Sequence, residues 1–195
     1  YCAAAREKTK AACGTPDADV HFLVGGTQTN TTVLSAILRP YQGAISADEG
    51  HIAVHETGAI EATGHKVLTL PCANGKITAA QIDTCVEAHY TSGTSEHTVQ
   101  PGAGYLTFPT ECGTSYTKDE LTAIRRVCDK WSLPIYLDGA RLGYGLAAPG
   151  SDVDLPLLAR CIDAFYIGGT KVGALFGEAL VLTNPALQRD FRYIV

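Results

Sequence analysis

The sequence predicts an α/β fold: a mainly parallel sheet with helices on both faces. Three observations carry this. Short runs rich in Val, Ile, Leu, Phe and Tyr recur along the chain, separated by stretches of helical period. The two kinds of segment alternate, a rhythm expected when parallel strands are joined by crossover helices. Finally, 195 residues that are 46% hydrophobic and 18% charged supply enough apolar mass for a well-buried domain and too little charge for disorder. No internal repeat, low-complexity tract or linker interrupts the pattern, so one continuous domain is expected over 1–195.

Taken in order, residues 1–13 have helical period and stop at Gly14. Val20–Val24 ("VHFLV") is a strand; Gly25-Gly26 then leads into a helix over about Thr29–Leu38. Ala44–Ala47 is a short strand and Thr57–Thr63 a helix. Lys66–Leu70 is a strand, followed by "ITAAQIDTCVEAHY" as a helix. The polar stretch Gly93 to Gly102 reads as a loop, and Tyr105–Phe108 as a strand. Thr117 caps "KDELTAIRRVCDKW", with Glu120 three residues on in a capping-box pattern. Pro134–Leu137 is a strand ending at Asp138. Leu155–Cys161 is a short helix, Ala164–Ile167 and Ala179–Leu182 are strands, and Asn184 caps a final helix.

Composition excludes some classes of partner. A net charge of −5, a pI near 5.6 and no basic tract argue against nucleic acid or an anionic membrane. The longest apolar runs are far too short to span a bilayer, and no signal peptide is expected. Seven scattered cysteines, never spaced C-x-x-C, fit reduced thiols in a cytoplasm better than a disulfide or zinc framework. The chain starts at Tyr1, contains no methionine and stops within a helical stretch, so a fragment of a longer protein is expected.

In a sheet of this class, ligands bind beyond the carboxyl ends of the strands, so the residues just after each strand are the ones to inspect. After "VHFLV" come Gly25-Gly26-Thr27-Gln28, opening a helix whose N-terminal N–H groups suit an anion such as phosphate. The same glycines also suit an ordinary tight β–α turn. After "PIYLD", Asp138 is placed to meet a cationic ring nitrogen and Arg141 to bind a carboxylate or phenolate. Equally, Asp138 could cap a helix and leave Arg141 exposed. In "AFYIGGTKVGALFG", Lys171 is the one charge in a glycine-lined turn. It is either a solvated loop lysine or a partly desolvated amine able to act as nucleophile or base. His51 follows the strand Ala44–Ala47 and could stack on a flat ring. The spacing of His51, His55 and Glu56 is not H-E-x-x-H and lacks a third ligand, so no metal is expected. Gly168-Gly169-Thr170-Lys171 is not a P-loop, because that motif needs Lys before Ser/Thr and four residues between its glycines. No G-x-G-x-x-G fingerprint marks a plain nucleotide domain either. Together, a phosphate cup, an acidic partner and a desolvated lysine are the parts that hold pyridoxal 5'-phosphate.

The stretches "VGGTQTN", "DEGHIAVHETGAIEATGHKV", "LDGARLGYG" and "FYIGGTKVGALFGEALVL" resemble the low-specificity threonine aldolase and β-eliminating lyase family, over almost the whole chain and in the right order. The resemblance implies the large cofactor domain of a fold-type-I pyridoxal-phosphate enzyme, without its C-terminal small domain. It implies Lys171 as the Schiff-base lysine, Asp138 as partner of the ring nitrogen, Gly26, Thr27 and Gln28 as phosphate ligands, His51 stacked on the ring, and Arg141 near the phenolic oxygen and substrate carboxylate. The implied activity is cleavage of L-threonine, or a related β-hydroxy amino acid, to glycine and an aldehyde, by a cytoplasmic homodimer or homotetramer. A different β-eliminating lyase, a racemase or an inactive cofactor domain are the alternatives. One departure stands out. Where the family commonly carries a histidine facing the substrate hydroxyl, this chain has "PTECGTSYT", leaving Glu111 or a cofactor-bound water to take that proton.

Overall fold

A computed structural model describes all 195 residues. Its strands are β1 (Asp19–Leu23), β2 (Gln42–Ala47), β3 (Val67–Leu70), β4 (Gln100–Thr107), β5 (Ile135–Asp138), β6 (Ala164–Gly168) and β7 (Glu178–Leu182). Its helices are α1 (Cys2–Cys13), α2 (Gly26–Ile37), α3 (His51–Val54), α4 (Ala79–Thr91), α5 (Lys118–Trp131), α6 (Leu142–Ala147), α7 (Leu155–Cys161) and α8 (Pro185–Gln188). The seven strands form one sheet in the order β1-β7-β6-β5-β4-β2-β3. Only β7 runs antiparallel to its neighbours, so the carboxyl ends of the other six strands share one edge.

Alternation along each strand sorts side chains between two apolar layers. Ile135 and Leu137 of β5 face one layer with Leu106, Phe165 and Val181, against α1, α4, α5 and α7. Tyr136 faces the other, with Tyr105, Tyr166, Leu180 and the α2 residues Val33 and Leu34. Asp138, two residues after Tyr136, is carried by the same period toward the α2 side. Helices therefore cover both faces, as the α/β rhythm predicts.

Local signals account for the helix ends. Gly14 caps α1 in the left-handed region at φ 64°. Complete capping boxes open α4 at Thr78 with Gln81 and α5 at Thr117 with Glu120. Asn184 caps α8 through Ala186 N–H.

Four local expectations need correction. Thr57–Thr63 is not an α-helix: Thr57 takes a positive φ of 52°, and only a 3-10 turn, Glu61–Thr63, follows. The helix sits earlier instead, as α3. Gly93 to Gly102 is not all loop, because β4 begins at Gln100, paired with Gln42 of β2. Small residues hid a strand that tertiary pairing imposes. The helix after β1 starts at Gly26, ahead of the expected Thr29, and α6 was not foreseen in its glycine-rich segment. No helix is long and apolar enough to cross a membrane.

Candidate active site

The predicted site residues gather on the carboxyl edge of the sheet. At the β1–α2 junction, Gly25 is the N-cap of α2 and offers no side-chain cap. The first intrahelical bond runs from Thr29 N–H to Gly25 O, so the amides of Gly26, Thr27 and Gln28 precede the helical ladder and point out of its end. Thr27 and Gln28 are exposed. The Gln28 side chain folds back, its Oε1 accepting from Val24 N–H at 2.9 Å, which pins the turn.

One turn further along α2, Asn30 is fully buried and forms the hub of a polar cluster. Its Nδ2 donates to Glu56 Oε1 at 2.8 Å and to Asp138 Oδ2 at 2.9 Å, while its Oδ1 accepts from Tyr136 O–H at 2.6 Å. Asp138 also accepts from the hydroxyls of Tyr105 (2.7 Å) and Tyr166 (2.5 Å) and from Ala140 N–H (3.0 Å). Four donors thus surround the carboxylate. Asp138 caps no helix; the N-cap of α6 is Arg141, whose side chain is 42% exposed. Burial raises the pKa of all three tyrosines, with the Asp138 charge adding to it, so they remain hydroxyl donors.

His51, at the start of α3, lies between two carboxylates. Nε2 is 3.7 Å from Glu56 Oε1 and Nδ1 is 3.3 Å from Glu111 Oε1. The Nδ1 contact is close enough for an ion pair but not aligned as a hydrogen bond, and this nitrogen is otherwise without a partner. Glu111 raises the pKa of His51 and is in turn held below the usual carboxylate range by His51. Burial pushes Glu56 up, and its Oε2 is buried without a partner. Arg141 Nη1 lies 3.8 Å from Glu111 Oε1. Glu111, Arg141 and Tyr144 line a cleft of about 410 Å³.

Lys171 departs from expectation. Its residue is exposed, so the burial foreseen for its amine is not supplied by this chain's own groups. The turn that carries it is nonetheless fixed. Buried Glu178 accepts from Gly169 N–H at 2.9 Å and from Thr170 O–H at 2.8 Å. Tyr144 O–H donates to Lys171 O at 3.1 Å, and Gly168 N–H donates to Gly139 O at 2.9 Å. A β-carbon at Gly139 would overlap Tyr166 O, and one at Gly168 would overlap Ala140 O. These glycines let the Asp138 and Lys171 loops press together, backbone on backbone. A larger cavity of about 670 Å³ lies by α1, β1 and Phe176; it is apolar and contains none of the predicted site residues.

Sequence reasoning missed Asn30, Glu56, Glu178 and the three tyrosines. The tyrosines had a usable signal, because Tyr136 precedes Asp138 by one strand repeat. Asn30 also sits one helical turn beyond Gly26. Glu56 gave none.

An open helix N-terminus, a carboxylate held by four donors, an imidazole between acids and a lysine turn share the edge of a doubly covered, mainly parallel sheet. That arrangement defines an α/β protein with an open helix N-terminus, suited to an anion, at the carboxyl edge of its sheet. The chain belongs to the β-eliminating lyase family, whose model matches residues 2–193. A low specificity L-threonine aldolase of Pseudomonas aeruginosa is 35% identical over 181 residues, which is 91% of this chain and 51% of that protein. The solved structure of Leishmania major threonine aldolase is 47% identical with a TM-score of 0.94, covering 99% of this chain and 55% of that one. Cystalysin from Treponema denticola, whose structure contains pyridoxal 5'-phosphate, shares the fold at 15% identity and TM-score 0.68, over 90% of this chain and 44% of that one. The chain spans about half the length of the curated relatives it matches.

Proposed function

We propose that this chain is the large cofactor-binding domain of a pyridoxal-phosphate-dependent lyase that cleaves L-threonine or a related β-hydroxy amino acid to glycine and an aldehyde. The observation that carries the reading is the meeting, on one sheet edge, of the α2 N-terminus, the Asp138 cluster and the Lys171 turn. The residues fit the cofactor. The amides of Gly26, Thr27 and Gln28 suit its phosphate. Glu56 Oε2 is buried without a partner, as a site prepared for a further group would leave. The threonine aldolases among its relatives supply the substrate class.

When bound, the cofactor supplies an electron sink for the pair released at the substrate Cα. The protein does the rest. Asp138, oriented by Asn30, Tyr105 and Tyr166, would be the partner of the ring nitrogen. His51, its orientation set by Glu56 and Glu111, would cover the ring. Arg141, exposed in the cleft, takes the substrate carboxylate. Lys171 would provide the amine that holds the cofactor aldehyde. The working enzyme is a homodimer or homotetramer in the cytoplasm.

Full-length protein supplied with cofactor is expected to gain an absorption band near the visible region that Lys171→Ala abolishes. It is also expected to release acetaldehyde from threonine. No band in the wild type would sink the cofactor assignment. A band with a 2-oxo acid as product (2-oxobutanoate from threonine or allo-threonine, pyruvate from serine) would point to elimination, and inverted amino acid to racemisation.

A further inference from the structure

We propose that Glu111 is the catalytic base that takes the β-hydroxyl proton of the substrate. The assignment rests on the reading of this site as one that splits β-hydroxy amino acids. In that cleavage the hydroxyl loses its proton as the Cβ–O bond becomes a carbonyl. The Cα–Cβ bond breaks, its electron pair stays on Cα, and Cα gains a proton to give glycine. Atoms and charge balance only if some group receives the hydroxyl proton and later returns one.

Such a group must be unprotonated near neutral pH, open to the cleft, and own a lone pair that no protein donor occupies. Asp138 fails, since four donors fill its oxygens and it is buried. Glu56 fails, because it is buried and favours its neutral form. Tyr144 has its O–H committed to Lys171 O. Lys171 fails, because it is not among the residues that line the cleft. Glu111 meets all three conditions. It lines the cleft beside Arg141, no protein donor bonds its Oε2, and the groups facing it are His51, Arg141 and, at longer range, His55. Those neighbours favour its carboxylate form, and His51 Nδ1, lacking any other partner, is placed to hold Oε1, which leaves Oε2 without a protein donor. His51 is thus a positioning residue for the base. With Arg141 holding the substrate carboxylate a few ångströms away, the hydroxyl of a short amino acid falls within reach of Glu111.

The test uses full-length, cofactor-loaded protein with Glu111→Gln and Glu111→His. Three readouts are taken: aldehyde release from threonine, exchange of the glycine Cα–H in D2O by NMR, and the pH profile of cleavage. Glycine has no hydroxyl, so its exchange reports the cofactor site without the proposed base. Glu111→Gln is expected to slow threonine cleavage by about 100-fold or more and glycine exchange far less, through loss of the contact with His51 alone. Glu111→His is expected to recover part of the rate, with the acidic limb moved up toward the ordinary imidazole range, about pH 6.5. The assignment is overturned if Glu111→Gln cleaves threonine at nearly the wild-type rate. It is equally overturned if both reactions fall together, which would mean a structural role. Wild-type protein that exchanges glycine but releases no aldehyde would overturn the substrate reading itself. Absence of both exchange and the absorption band would overturn the cofactor reading.

Discussion

Asn30 and Asp138, 108 residues apart in sequence, are joined by a hydrogen bond of 2.9 Å inside the α2 layer. The same amide nitrogen also donates to Glu56, so two buried acids share one donor group. Removing that amide would strand Tyr136 O–H and Glu56 in an apolar layer and take one of its four donors from Asp138. Asn30→Ala is expected to cost on the order of 3 kcal/mol in urea unfolding of the full-length protein. Asn30→Asp places a third carboxylate there, so its deficit should grow between pH 5 and pH 8. A change below 1 kcal/mol at every pH would show the hub to be incidental.

The two acids flanking His51 make opposite predictions. Burial raises Glu56, so the stability it contributes is present below the unfolded carboxylate range and is lost as pH rises through its raised value. Glu56→Gln should therefore gain stability relative to wild type as pH rises through that window. Glu111 is lowered, so its contribution is present above the unfolded carboxylate range and is lost as pH falls through its depressed value. His51 is raised, chiefly by Glu111. NMR titration of its ring protons should show a lower His51 pKa in Glu111→Gln, and a smaller drop in Glu56→Gln. A His51 titration unchanged in both variants would refute the sandwich.

What the sequence made legible follows the range of the interactions involved. Capping at Thr117 or Asn184 is settled within a few residues, and those helix starts were foreseen. Buried strands such as Ala164–Gly168 declare themselves by continuous apolar runs. The start of β4, "QPG", has no such run and exists because Gln100 pairs with Gln42, so local reading made it a loop. Strand-end reasoning brought Gly26, His51, Asp138, Arg141 and Lys171 to one edge. It could not find Glu56, whose importance appears only when α2 and β5 close around it. It also expected a desolvated Lys171. Exposure depends on every neighbour at once, and the groups around that turn are chiefly backbone.

Cys72 and Cys112, on different loops, both donate to Glu49 Oε2, at 3.4 and 3.0 Å. The pKa of Cys72 is pushed up to about 11, by burial first and the Asp48 and Glu49 carboxylates after it, and Cys112 is raised mainly by its bond to Glu49. Because the thiolate is the reactive form, Cys112 should alkylate slowly with iodoacetamide despite being exposed. Glu49→Gln removes the negative charge, and mass spectrometry should then show alkylation several-fold faster at pH 8, with Cys2 as the internal reference. Equal rates in both proteins would mean that Glu49 does not control these thiols.

Glu178 ties the Lys171 turn to the sheet. One carboxylate oxygen takes Gly169 N–H and the other takes Thr170 O–H. A carboxylate can accept both because it has no hydrogen of its own to place. Glutamine at 178 keeps one acceptor oxygen and turns an N–H2 group toward the second donor, and alanine keeps neither. The expected order of lysine-dependent absorbance in cofactor-loaded protein is therefore wild type, then Glu178→Gln, then Glu178→Ala. Loss of these two bonds should destabilise the fold by only about 1–3 kcal/mol, since the apolar layers on either side of β7 are untouched. Far-UV circular dichroism should stay native while cofactor retention falls. If Glu178→Ala keeps full absorbance, backbone contacts alone hold the turn, and the Gly168–Gly139 hydrogen bond becomes the element that positions Lys171.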